Sequence, residues 1–245
     1  MHTSGIVSIS FRSHSPGEIL SAAAACGLKR IEWGSDVHAP REDPVRLAEL
    51  AAAPLPCCSY GSYFRLGINP LEELPDYIRA AKALGTDHVR IWAGRKRACD
   101  CTAEERRAFA ALCAAAAAIA REHGVILCLE CHRRSYTETA EGALELMQYV
   151  DSPHFRMYWQ PNPDISEEDN LQYIRQLRDY ITHVHVFHWI ADQRLPLREG
   201  LDVWRRYLLE LGGSHHLLLE FMPDDRLESL KAEADALHEL IRLCS

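Results

Sequence analysis

Two glutamates in this 245-residue chain each close an apolar run: Glu130 ends Val-Ile-Leu-Cys-Leu-Glu, and Glu220 ends Leu-Leu-Leu-Glu. An unpaired carboxylate is rarely buried, so a strand that finishes on one needs a cation, a partner or solvent at that point. Between them, residues 182–187 read Thr-His-Val-His-Val-Phe. Such alternation puts His183, His185 and Phe187 on one face of a strand and Val184 and Val186 on the other. Gln160 follows the aromatic pair Tyr158-Trp159. Brought together, Glu130, Gln160, His185 and Glu220 would offer oxygen and nitrogen donors suited to Mn, Mg, Co or Zn. Such an ion polarises a carbonyl and acidifies the adjacent C–H, and the carboxylates would then move the proton.

Plainer roles compete for the same residues. A glutamate at a strand end also serves as a helix-cap partner or half of an ion pair, and it is the presence of two that favours a shared site. A histidine in a strand is more often a hydrogen-bonded core residue than a ligand. That role is assigned to His183, and the site role to His185, nearer the mouth. Four of the five tryptophans, Trp33, Trp92, Trp159 and Trp189, fall at or just past strand ends, with Tyr60, Tyr63, Phe187 and Phe221 in the same layer. Their rings would stack on the C–H faces of a sugar, or else plug the top of a barrel. Cys128 and Cys131 have a spacing that sends the thiols to opposite faces of a strand, so a zinc or redox reading of the pair is set aside.

The elements that must carry these residues recur in a regular order. Short β-branched or aromatic runs at 6–10, 30–33, 55–60, 88–92, 125–130, 155–159, 182–187 and 216–220 alternate with longer Ala-, Leu- and charge-rich helical stretches. Helix starts are marked by Ser15-Pro16, Asp43-Pro44, Asn69-Pro70, Thr102 with Glu105, and Ser166 with Asp169. Gly27, Gly85, Gly124 and Gly212 stand where helices should stop. Eight such units predict an α/β fold, a single (β/α)8 TIM barrel over residues 1–245, with its site at the C-terminal ends of the strands. An open doubly wound sheet is the rival, but no Gly-x-Gly-x-x-Gly or Gly-x-x-x-x-Gly-Lys loop follows any strand.

Composition narrows the partners. A formal charge of −8 argues against a surface built for nucleic acid, and a small polar molecule is the better expectation. No basic leader with an apolar core is visible, and no apolar run approaches the roughly 18 residues of a membrane span, so a cytoplasmic protein with no membrane partner is expected. Nine scattered cysteines, an odd number in a long chain, are expected to be reduced thiols.

Several segments together resemble the sugar isomerase/epimerase branch of the xylose isomerase-like TIM barrels, relatives of tagatose epimerase, inosose dehydratase and endonuclease IV. They are Ile31-Glu32-Trp33-Gly34 with Asp36-Val37-His38, Tyr60-Gly61-Ser62-Tyr63, Arg90-Ile91-Trp92-Ala93-Gly94, Leu129-Glu130-Cys131-His132 with Thr137-Glu138-Thr139, Tyr158-Trp159-Gln160-Pro161, residues 183–189 and Leu219-Glu220-Phe221. The resemblance implies a Glu, Asp, His and Glu metal shell, falling on Glu130, Gln160, His185 and Glu220, with a neutral amide where the family has a carboxylate. The substitution removes one negative charge and should weaken a hard divalent ion. His132 is implied as a substitute ligand or a group that polarises a substrate hydroxyl. Trp33, His38, Tyr60, Trp92, Trp159, His188 and Phe221 are implied to line the substrate.

The activity implied is isomerisation or epimerisation of a sugar or sugar phosphate through a metal-stabilised enediolate, with Glu130 and Glu220 exchanging the proton. A dehydratase or lyase working through the same intermediate remains open. So does a degenerate barrel that binds a sugar without turning it over, given Gln160. Abasic-site cleavage is disfavoured by the acidic charge and the amide ligand. The resemblance also implies self-association as a homo-oligomer, dimer or tetramer.

Overall fold

The computed structural model describes residues 1–244. Eight parallel strands close into a barrel: β1 (Thr3–Val7), β2 (Arg30–Gly34), β3 (Cys57–Leu66), β4 (His88–Ala93), β5 (Ile126–Glu130), β6 (Phe155–Trp159), β7 (Ile181–Val186) and β10 (His216–Leu219), with β10 returning between β7 and β1. A small antiparallel hairpin, β8 (His188–Ile190) with β9 (Gln193–Leu195), is inserted after β7. The helices are α1 (Pro16–Ala25), α2 (Pro44–Ala51), α3 (Leu74–Ala83), α4 (Ala103–His123), α5 (Ala140–Val150), α6 (Glu167–Leu177), α7 (Leu201–Leu211) and α8 (Leu230–Leu243).

The local signals explain most boundaries. Ser15 and Thr102 form full capping boxes with Glu18 and Glu105, and Asp43 and Ser166 cap α2 and α6. Gly124 takes φ +66° at the end of α4, where a β-carbon would be strained. The Asn69-Pro70 signal does not start a helix. Asn69 instead accepts the Arg65 N–H through its side chain at 2.8 Å, and α3 begins only at Leu74 after a 3-10 turn. Strand β3 also runs on to Leu66, well past the expected stop at Tyr60.

The pleat then decides which side chains meet inside the barrel. In-register partners share a face, so the pairings His185 with Leu218, Leu218 with Gly5, His183 with Tyr158, and Glu130 with Tyr158 place all of these inside. Their chain neighbours point outward into the helix layer. Trp159 packs edge-on against Trp204 and Tyr207 of α7, with ring centres 5.8 and 5.2 Å away. Trp33 is likewise fully buried in the core between strands and helices. Each large ring so buried contributes on the order of 2–3 kcal/mol of transfer free energy.

Candidate active site

At the mouth of the barrel lies a cavity of about 340 Å³, lined on its polar side by Arg90, Glu130, His132, Gln160 and Glu220. Glu130 is the last residue of β5, and Gln160 follows β6 directly. Glu220 lies one residue past β10, yet its N–H still donates to the Val186 carbonyl at 3.0 Å, so the barrel holds it as firmly as a strand residue. His185 stands beneath them, fully buried. Its Nδ1 is 3.2 Å from Oε1 of Gln160, 3.4 Å from Oε2 of Glu220 and 3.7 Å from Oε1 of Glu130.

Two charged residues outside the expected set complete the cluster. Arg90, mid-strand in β4 and 1% exposed, donates from Nε to Oε1 of Glu32 at 3.1 Å and from Nη1 to Oε2 of Glu130 at 2.6 Å. The Trp92 indole N–H donates to the same Glu130 oxygen. Glu32 also lies 3.5 Å from Nε2 of His185. A β-carbon on Gly61 would sit 2.7 Å from Oε1 of Glu32 and 3.0 Å from Nη2 of Arg90, so glycine leaves the room this ion pair occupies.

Burial works against charge on all of these groups, and the outcome differs between the carboxylates. For Glu130 the Arg90 guanidinium and His185 outweigh burial and hold it well below the usual carboxylate range. Glu32 is also lowered, by His185 and Arg90 against burial. Glu220 has no such partner: burial dominates, His185 only partly offsets it, and the pKa is pushed up to about 7. Its Oε2 is buried without a hydrogen bond. His185 is raised to about 10, since Glu220 and Glu32 overcome the burial that opposes its charge. Two carboxylates of the same kind are thus set to different tasks at neutral pH.

Two of the separations in this donor set match those around a divalent ion. Two donors on one ion, with bonds of about 2.1 Å at a tetrahedral angle, stand about 3.4 Å apart. The Gln160 and Glu220 oxygens lie 3.2 and 3.4 Å from Nδ1 of His185, close to that separation, and Oε1 of Glu130 is the oxygen not used by Arg90 or Trp92. Among the described residues no three His, Cys, Asp or Glu side chains make such a cage by themselves.

The other expected site residues divide sharply. Trp92, His132 and Phe221 line the cavity, joined by Tyr63, Phe187 and Trp189. Phe187, Trp189 and Phe221 form a three-ring wall with centres 5.1–5.7 Å apart. Phe221 adopts a left-handed backbone, φ +56°, which costs roughly 1 kcal/mol and turns its ring over the mouth. Trp33, Tyr60 and Trp159 face the helices instead, because each is the chain neighbour of an inward residue. The Tyr60 hydroxyl donates to the Ala39 carbonyl at 2.9 Å. His38 is buried and pinned between the Ser8 hydroxyl and the His14 carbonyl, both at 3.1 Å, and His188 lies on the hairpin against Gly200. None of these five lines the cavity. His183 is a core residue, but neither of its ring nitrogens has a hydrogen-bond partner, contrary to the expectation for it.

Glu32 and Arg90 are the sequence signal for the rest of this cluster. Each is a charged residue inside a strand of a barrel, of opposite sign to the other, and only mutual pairing makes such burial tolerable. All nine cysteines are free thiols. No helix among the described residues is long and apolar enough to cross a membrane.

Comparison with known proteins points to the same fold. A 3-dehydroshikimate dehydratase from Bacillus anthracis is 26% identical over 178 residues, 62% of this chain, and the match spans 62% of that relative's own length. Among solved structures, the IolI protein with a bound zinc atom superposes with a TM-score of 0.78 at 16% identity, covering 98% of each chain. An L-ribulose 3-epimerase superposes with a TM-score of 0.75 at 19% identity, over 99% of this chain and 96% of that one. The family model described as the xylose isomerase-like TIM barrel matches residues 20–242, and the chain belongs to that family.

Proposed function

We propose that this barrel is an enzyme that enolises a small hydroxylated carbonyl compound, a sugar or a sugar-like ring, by proton transfer at the carbon beside the carbonyl. The observation that carries the reading is the asymmetry of its carboxylates: Oε2 of Glu130 is held by both Arg90 and Trp92, whereas Oε2 of Glu220 is buried without a hydrogen bond and burial pushes that pKa up to about 7. A group balanced at the working pH is the effective proton carrier.

Glu130, Gln160, His185 and Glu220 would hold a divalent ion, Mn, Mg, Co or Zn, whose charge would stabilise the developing enediolate oxygen. The residues of the chain do the rest. Glu220 takes the proton from carbon and returns it. Glu130 stays ionised, fixed in place by Arg90. His132 lines the cavity and would polarise a hydroxyl, and Trp92, Phe187, Trp189 and Phe221, which also line it, would cover an apolar face of the substrate and exclude water.

One mobile carboxyl suits chemistry in which a single base acts: aldose–ketose isomerisation, or enolisation followed by loss of the neighbouring hydroxyl as water. Two-base epimerisation requires both carboxylates to exchange protons, and the hold of Arg90 on Glu130 opposes that. The dehydration branch draws further support from the similarity to the 3-dehydroshikimate dehydratase.

The test is product analysis by NMR on a panel of free ketoses, ketose phosphates and 3-dehydroshikimate, with Mn²⁺, Co²⁺ or Zn²⁺ supplied. Isomerised or dehydrated product, absent with Glu220→Gln, is the expected result. Epimerised product alone would replace the one-base scheme, and no turnover of any member would favour a barrel that binds its ligand without reacting.

A further inference from the structure

At the opposite end of the barrel a second group of donors surrounds a separate pocket of about 460 Å³, lined by Thr3, His88, His183 and His216 among others. His183 is 2% exposed, and both of its ring nitrogens lack a hydrogen-bond partner; Nδ1 of His216 lacks one too. Buried polar atoms without partners are uncommon and each asks for a cause, such as a bound ion.

The spacing of the rings supplies one. The His183 ring centre is 4.7 Å from that of His88 and 4.8 Å from that of His216. Two imidazoles sharing a divalent ion, with metal–nitrogen bonds of about 2.0–2.1 Å, have ring centres roughly 4.5–5.2 Å apart. The Asp87 carboxylate lies 2.7 Å from Nδ1 of His88, so Nε2 is the nitrogen that remains for an ion. A carboxylate behind a histidine in this way is the usual outer support of a metal ligand.

As the rings are set, no three such donors among the described residues meet at one point. A half-turn of His183 or His216 about its Cβ–Cγ bond exchanges ring carbons for nitrogens, and Nδ1 and Nε2 of His183 and Nδ1 of His216 are buried without a hydrogen-bond partner. We propose that His88, His183 and His216 form a binding site for a borderline divalent cation, Zn²⁺ or Co²⁺, at the floor of the barrel and separate from the mouth. The ion would tie β4, β7 and β10 together across the bore. With imidazole donors it should select Zn²⁺ or Co²⁺ over Mg²⁺, which prefers oxygen.

Co²⁺ titration of the full chain, followed by its visible absorption and by calorimetry, tests this in the wild type, in His88→Asn, in His216→Gln and in a Glu130→Gln, Glu220→Gln double variant. The double variant is expected to retain one Co²⁺ and to gain thermal stability from it. Each histidine variant is expected to lose at least about tenfold in affinity for that ion. His88 lines the pocket and is partly exposed, so His88→Asn carries the test if the more buried variant does not fold. Loss of all Co²⁺ binding in the carboxylate double variant, unchanged affinity in His88→Asn, or equal competition by Mg²⁺ would each overturn the proposal.

Discussion

Replacing Arg90 with glutamine removes one guanidinium that answers two buried carboxylates. Arg90 is 1% exposed, Glu32 is fully buried and Glu130 is 4% exposed, so water cannot take over the solvation that Nε and Nη1 supply at 3.1 and 2.6 Å. Removing one partner of a buried ion pair typically costs about 3–5 kcal/mol, because the charge left behind stays uncompensated. In a chain of this length each kcal/mol lowers Tm by roughly 2–4 °C, so Arg90→Gln should melt about 6–20 °C below the wild type. Urea unfolding at pH 7.5 in the presence of EDTA gives the free energy, and calorimetry gives Tm. The residual charge is the stated cause, so adding Glu32→Gln to Arg90→Gln should restore part of the loss. A stability within about 1 kcal/mol of wild type, or a double variant worse than the sum of the singles, would refute the claim that electrostatic pairing rather than packing fixes this cluster.

Further outcomes follow from the same geometry. His185 has its pKa raised from 6.5 to about 10 in the fold, so it contributes stability that is fully present below about pH 6.5 and lost as pH rises towards 10. In EDTA, His185→Gln should flatten the fall in urea midpoint over that window, and an unchanged slope would count against the charged imidazole. Gln160→Asp adds the missing ligand charge and should tighten Mn²⁺ or Co²⁺ binding at the mouth by roughly tenfold, measured by calorimetry; no change would place Gln160 outside the donor set. Gly61→Ala forces the Glu32–Arg90 pair aside and should lower both Tm and activity, whereas a neutral result would show that the pair yields without consequence.

The barrel was legible because its signals are local: Ser15, Asp43, Thr102 and Ser166 cap helices by their own side chains, and Gly124 stops one by its backbone. The four proposed donors could be picked out because each ends or nearly ends a strand, where polarity breaks an apolar run. What failed was parity. A single-residue shift in register exchanges inside for outside. Trp33 and Trp159 neighbour the inward residues Glu32 and Tyr158, so they face the helices, and their proximity to strand ends said nothing of that. Arg90 and Glu32 escaped for a different reason: their partnership spans 58 residues of sequence, and either alone looks like a solvated charge. The hairpin from His188 to Leu195 has three-residue strands, too short for a period to register.

Glu220 is proposed to move a proton at carbon. The direct measurement is deuterium uptake from D₂O at the carbon beside the carbonyl, followed by NMR for each substrate of the panel with wild type and with Glu220→Gln. Uptake by the wild type and a loss of about 10²–10⁴-fold in the variant are expected. Uptake at the same rate in both proteins would contradict it.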